Sequence, residues 1–227
     1  MPLNEIGLVR TADQGLTDLS NGVATLDSTG SLVIMDFYQK AILDGHGFQV
    51  RAGTITTPLI GDVVITDTAA EMCVDTVSSI TIIPVDMFIA VRLHTGTLHE
   101  YAVKSVAGAS SAGTAFVPLP LKTGGGAAST TARVQAAGAV TVSAELATTT
   151  RRHWAYSNPL AAAAGSDPSA ALTQGWHPRP APVIKGTPAA PFCLYVQIAA
   201  TTTGPSYYAN LDYLEFVNAS LYGNGGR

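Results

Sequence analysis

Charge is what this sequence has least of. Lys, Arg, Asp and Glu make up 12% of its 227 residues, about half of the roughly 25% usual in soluble domains. Net charge is the ordinary protection against association, so a surface this short of it is expected to be covered by neighbouring subunits or kept in solution by hydroxyls and backbone. Basic runs are also missing. The longest is Arg151-Arg152 and the formal net charge is −4, which speaks against direct nucleic-acid binding. The first thirty residues set Arg10 against Glu5, Asp13, Asp18 and Asp27, the reverse of a basic genome-binding arm.

Cysteine is almost absent. Cys73 and Cys193 lie far apart and form no CxxC or metal-type spacing. They read as two buried free thiols, with a disulfide between them as the alternative. No apolar run reaches the 18 residues of a membrane span. The opening MPLNEIGLVR lacks the basic stretch and apolar core of a signal peptide, so a product made in the cytoplasm is expected.

Catalytic signatures are missing as well, and no enzyme is expected. There is no G-x-S-x-G elbow and no glycine-rich loop ending in Gly-Lys-Ser/Thr. Gly124-Gly125-Gly126 follows Lys122-Thr123 in the wrong order for a phosphate cradle and reads as a hairpin loop. The five histidines never form HxH, HxxxH or HExxH. His94 and His99 flank Thr95-Gly96 with Glu100 beside them, but a zinc site needs three or four convergent ligands, so they read as solvent-facing turn residues. Asp62, Asp67, Glu71, Asp75 and Asp86 lack the calcium-loop pattern and read as a solvated loop face. No cofactor or metal is expected.

What is present is β-strand patterning in a chain that is 47% apolar, enough to offset the entropy of ordering it. Ser31 to Tyr38, then Phe48 and Val50 after the turn-like 44–47, read as one hairpin. Val63 to Thr66 reads as a short strand. Alternation slips at Pro84, where the missing N–H predicts a bend or bulge. Met87 to His94 and Thr97 to Ser105 flank Thr95-Gly96 and read as a second hairpin. Further strands are expected at 115–120, 131–135, 139–146, 151–156, 192–198 and 206–217. Seven of the thirteen prolines fall between Pro159 and Pro191, which reads as a long ordered loop or insertion. Ten to twelve short strands and almost no helix predict an all-β fold, an antiparallel β-sandwich or barrel. The expected organisation is an N-terminal extended arm at 1–30, a single β-sandwich domain at 31–221 carrying the Pro-rich insertion at 159–191, and a flexible tail at 222–227.

One cluster stands out. Arg151, Arg152, His153, Trp154 and Tyr156, with Trp176 and His177 later, gather both tryptophans and the charge pair of a chain poor in each. Trp, Tyr and Arg dominate interface hot spots because they bring large area and directional polar groups at low entropic cost. These seven residues are the candidate partner interface. The same aromatics suit stacking on sugar rings, and the bland alternative is that both tryptophans fill the core.

Residues 68–103, TAAEMCVDTVSSITIIPVDMFIAVRLHTGTLHEYAV, resemble a stretch of jelly-roll virion structural proteins of bacterial viruses: an acidic strand, a strand ending in Ile-Ile-Pro, and a long hairpin closed by Thr-Gly. YYANLDYLEFVNA, 207–219, is similar in character to their last strand. The resemblance implies a jelly roll of two antiparallel sheets, a capsid or decoration subunit of a virion, homo-oligomers of three copies or more, and contacts with other virion proteins. No catalytic residue carries over. The alternative is a carbohydrate-binding β-sandwich, an adhesin or receptor-binding module, with a glycan on the aromatic cluster.

Overall fold

The computed structural model describes residues 37–93, 98–135, 138–159, 173–187, 191–201 and 204–218. The expected arm at 1–30 and tail at 222–227 lie outside the described residues, as do His94, Thr95, Gly96 and the alanine-rich part of the insertion. One helix, α1 (Phe37–Leu43), precedes the strands β1 (Gly47–Ala52), β2 (Leu59–Ile60), β3 (Ala69–Ala70), β4 (Met72–Asp75), β5 (Ile80–Leu93), β6 (Leu98–Ala107), β7 (Thr114–Phe116) and β8 (Leu119–Pro120). After these come β9 (Thr131–Val134), β10 (Val140–Thr141), β11 (Arg151–Pro159), β12 (Thr173–Trp176), β13 (Ile184–Lys185), β14 (Phe192–Ala200) and β15 (Ser206–Val217). The protein is all-β, in antiparallel sheets. Among the described residues no helix is long and apolar enough to cross a membrane.

Two sheets carry the fold. The first runs β12-β5-β15-β1-β8, with β13 also on β5 and β2 on β15; the second runs β11-β6-β14-β4-β9-β7. They pack face to face because alternate residues of each are apolar. Val50, Ile82, Met87, Ile89 and Leu211 from the first sheet meet Met72, Val74, Val103, Leu194 and Ile198 from the second in one buried cluster. Both outer faces are partly covered too. Helix α1 sets Ala41 against Ile83, Leu214 and Phe216 of the first sheet. The β3–β10 ladder lays Ala70, Val140 and Val142 over Cys73, Val106, Cys193 and Tyr195 of the second. This two-sided burial explains why β14 reads as a nearly continuous apolar run.

The slip at Pro84 is a β-bulge. Along the β5–β15 ladder Asp86 faces Asp212 and Pro84 faces Tyr213, leaving Val85 as the extra residue. Ile82 and Met87 are an odd number of positions apart, and without the inserted residue one of them would point out of the core. Both are buried in the core between the sheets.

Several expectations are corrected. Of the expected first strand, residues 31–36 lie outside the described residues, and Phe37 and Tyr38 belong to α1 rather than to a strand; β1 pairs with β15 and β8. Residues 63–66 form no strand, and Val63 and Val64 are exposed. Among the described residues the strands expected to form the second hairpin do not pair: β5 is flanked by β15 and by β12 and β13, whereas β6 lies between β14 and β11. These two consecutive strands therefore sit in opposite sheets. The glycine loop at 124–126 likewise joins β8 in one sheet to β9 in the other. The segment expected as strand 139–146 shortens to Val140-Thr141. The Pro-rich insertion is more than loop, since its β12 and β13 extend the first sheet along β5.

The supposed solvated carboxylates are corrected as well, for Glu71 and Asp75 are buried. The Glu71 side chain accepts a hydrogen bond from Ile198 N at 2.8 Å. Burial, reinforced by the Asp62 carboxylate, pushes its pKa well above the usual carboxylate value. A carboxyl whose folded pKa is raised supports stability fully below its unfolded pKa, and that support is lost as pH rises toward the folded one. Glu71→Gln is expected to remove this loss. In melting curves from mildly acidic to neutral pH, the variant's Tm should gain on the wild type as pH rises; a constant difference would contradict it.

Candidate interaction groove at the sandwich edge

β11 and β12 are edge strands, one in each sheet, on the same side of the sandwich. β11 is pinned to β6, with a second bulge: Arg152 faces Lys104 and Trp154 faces Val103, so His153 is the extra residue. The bulge frees the imidazole from the alternation of the strand. Its Nε2 lies 2.8 Å from Ser105 Oγ, and its ring stacks on Trp176 at 6.2 Å between centroids. Two residues 23 positions apart thereby link the edges of the two sheets. Burial, with the nearby Arg151 charge, lowers the His153 pKa.

Around this stack lies a groove of about 450 Å³ lined by Arg152, His153, Trp176, His177 and the run from Pro178 to Pro182. Trp176, 7% exposed, is its floor and belongs to the core between the sheets. His177 stands out of it, paired through Nδ1 with Asp86 at 2.8 Å. Arg152 reaches Glu145 at 2.7 Å, and Lys104 holds the same carboxylate at 2.6 Å; these two cations keep Glu145 below its usual pKa. Arg179 has no carboxylate partner among the described residues. A cis peptide joins it to Pro180. The groove is proline-walled and offers hydrogen-bond donors around an aromatic floor.

Of the seven candidates the groove gathers Arg152, His153, Trp176 and His177. Trp154 and Tyr156 lie elsewhere on β11. Their rings are 6.2 Å apart with planes within 6° of parallel, and both flank the buried Tyr101. Trp154 is half-buried against the core, and Tyr156 is 37% exposed. Arg151 is exposed at the head of the strand. His99, expected on a solvent-facing turn, is buried.

Sequence reasoning missed one group of potential ligands, Cys73, Asp75 and Cys193, gathered on the covered outer face of the second sheet. The only sequence signal is that Cys73 and Asp75 are two apart on a strand; register supplies the rest. Both cysteines are free and buried.

Comparison with protein-family models, with curated proteins and with solved structures finds no match. The chain's own geometry therefore carries its functional reading.

Proposed function

We propose that this protein is a jelly-roll structural subunit of a bacterial virus particle, a capsid or capsid-decorating protein that works through contacts with copies of itself and with other virion proteins. The observation that carries this reading is the nesting of strand pairs. Taking β1, β4, β5, β6, β11, β12, β14 and β15 in chain order, the first pairs with the eighth, the second with the seventh, the third with the sixth and the fourth with the fifth. A ribbon of eight strands folded on itself in this way, with its pairs alternating between two sheets, supports a jelly roll, an architecture shared by viral capsid domains, lectins and cupins.

Surface chemistry favours the shell protein within that set. Ile55, Ile60, Val63 and Val64 are each more than half exposed within ten residues of chain. Such a patch is costly to leave in water on a protein with so little charge, and burying each side chain against a neighbour is worth about 1.5 kcal/mol or more. Size-exclusion chromatography with light scattering is expected to show a trimer or larger assembly. Ile60→Asp with Val64→Asp should weaken it by about a hundredfold, the equivalent of roughly 2.8 kcal/mol. A wild-type monomer at high concentration would remove the proposal.

A second reading, a glycan-binding β-sandwich, is supported by the exposed Tyr156 ring standing parallel to the half-buried Trp154 on an edge strand, because an accessible aromatic ring is what the apolar face of a sugar packs on.

A further inference from the structure

We propose that Cys73, Asp75 and Cys193 form a structural zinc site that fastens the covering layer to the second sheet. β4 puts Cys73 and Asp75 on one face because they are two residues apart. In the β4–β14 ladder Cys193 is the partner of Asp75, which brings the second sulfur to the same spot. The two Sγ atoms and a carboxylate oxygen all lie within 4.8 Å of one another, and all three residues are buried. Donor atoms around a tetrahedral zinc are roughly 3.5 Å apart, so a small contraction completes the set.

The surroundings fit a cation with thiolate ligands. Ser110 Oγ sits 3.0 Å from Cys73 Sγ and 2.6 Å from Asp75 Oδ2, outer hydrogen bonds that hold two of the three ligands in place. Binding releases two protons, one from each thiol, and leaves two thiolates and a carboxylate around a dication, a net charge of −1. Arg133 balances it. Its Nε is 4.0 Å from Asp75 Oδ2 and is buried without a hydrogen-bond partner, while its Nη1 donates to Ala112 O at 3.1 Å. Soft sulfur donors select zinc over magnesium or calcium.

The site holds more than the two strands it joins. Ser110 N also donates to Asp75 Oδ1 at 2.9 Å, and the neighbouring Ser111 bridges to Thr141 of β10. A metal here would tie loop 108–112, and through it the β3–β10 cover, to the sheet beneath.

Because the site is closed to solvent, loading is coupled to folding. The full chain is to be unfolded, reduced and refolded with cobalt(II), a spectroscopic stand-in for zinc. One equivalent per chain with a thiolate-to-cobalt absorption band is expected, the band being lost in Cys193→Ser and in Cys73→Ser; zinc refolding should raise the Tm over refolding with chelator. Absence of the band in refolded wild type, or its persistence in either serine variant, would overturn the proposal. So would a refolded wild type lighter by two hydrogens with no free thiol, since the sulfurs would then be joined to each other. If the variants fail to refold, the wild-type band decides alone.

Discussion

Trp176→Ala is expected to lower stability by about 3–5 kcal/mol. The indole is almost fully buried, is part of the core between the sheets and carries the His153 ring on its face, so truncation opens a cavity and unstacks the link between the two sheet edges. Typical domains hold about 5–15 kcal/mol in total, so the variant should melt far below the wild type and unfold at much lower urea. Trp154→Ala removes a half-buried ring from an edge strand and should cost clearly less. The difference has a functional use. Loss of glycan binding in Trp176→Ala would report unfolding, whereas Trp154→Ala keeps the sandwich and is the variant with which the Trp154 and Tyr156 pair is tested. Equal destabilisation by the two substitutions would contradict the burial assigned to them.

Glu215→Ala is expected to cost about 3 kcal/mol, mainly by orphaning the two buried donors of Thr130 at roughly 1–3 kcal/mol each. Glu215 is buried near the end of β15, and its carboxylate accepts from Ser129 N at 2.8 Å, Thr130 N at 3.1 Å and Thr130 Oγ1 at 2.8 Å. Thr130 Oγ1 also lies 2.6 Å from Tyr213 OH. This network clamps the segment leading into β9, in the second sheet, to the last strand of the first. Urea unfolding should show the loss, and Glu215→Gln, which keeps an acceptor, should recover part of it. A Glu215→Ala protein as stable as wild type would mean that water enters and satisfies those donors.

Most strands were legible because alternation is a local property: β6, β11, β14 and β15 fall where the apolar period places them, and the bulge at Pro84 announces itself as a break in phase. Val63 to Thr66 misled because β-branched residues also occupy exposed connecting segments. In the candidate site, the composition of 151–156 and 176–177 singled out residues that the fold places on the edge strands β11 and β12 and just after β12, but it could not separate Trp176, which fills the core, from Trp154, which is half-buried. The Cys73, Asp75 and Cys193 group had no motif to find, since a register between β4 and β14, more than a hundred positions apart in the chain, creates it.

By itself the sequence determined the all-β class, most of the strands and which of their side chains share a face, and a charge content of only 12%. Tertiary structure alone decided which strands pair. Thr95-Gly96 looks like a hairpin turn, yet β5 and β6 go to opposite sheets because β15 and β14 take the places beside them. Those partners lie about a hundred residues downstream, and their selection rests on ladder hydrogen bonds and on burial of both sheets' inner faces, neither of which is encoded in any short stretch of chain. The same long-range pairing buries Glu71 and Asp75, carries His153 onto Trp176, and so makes the groove.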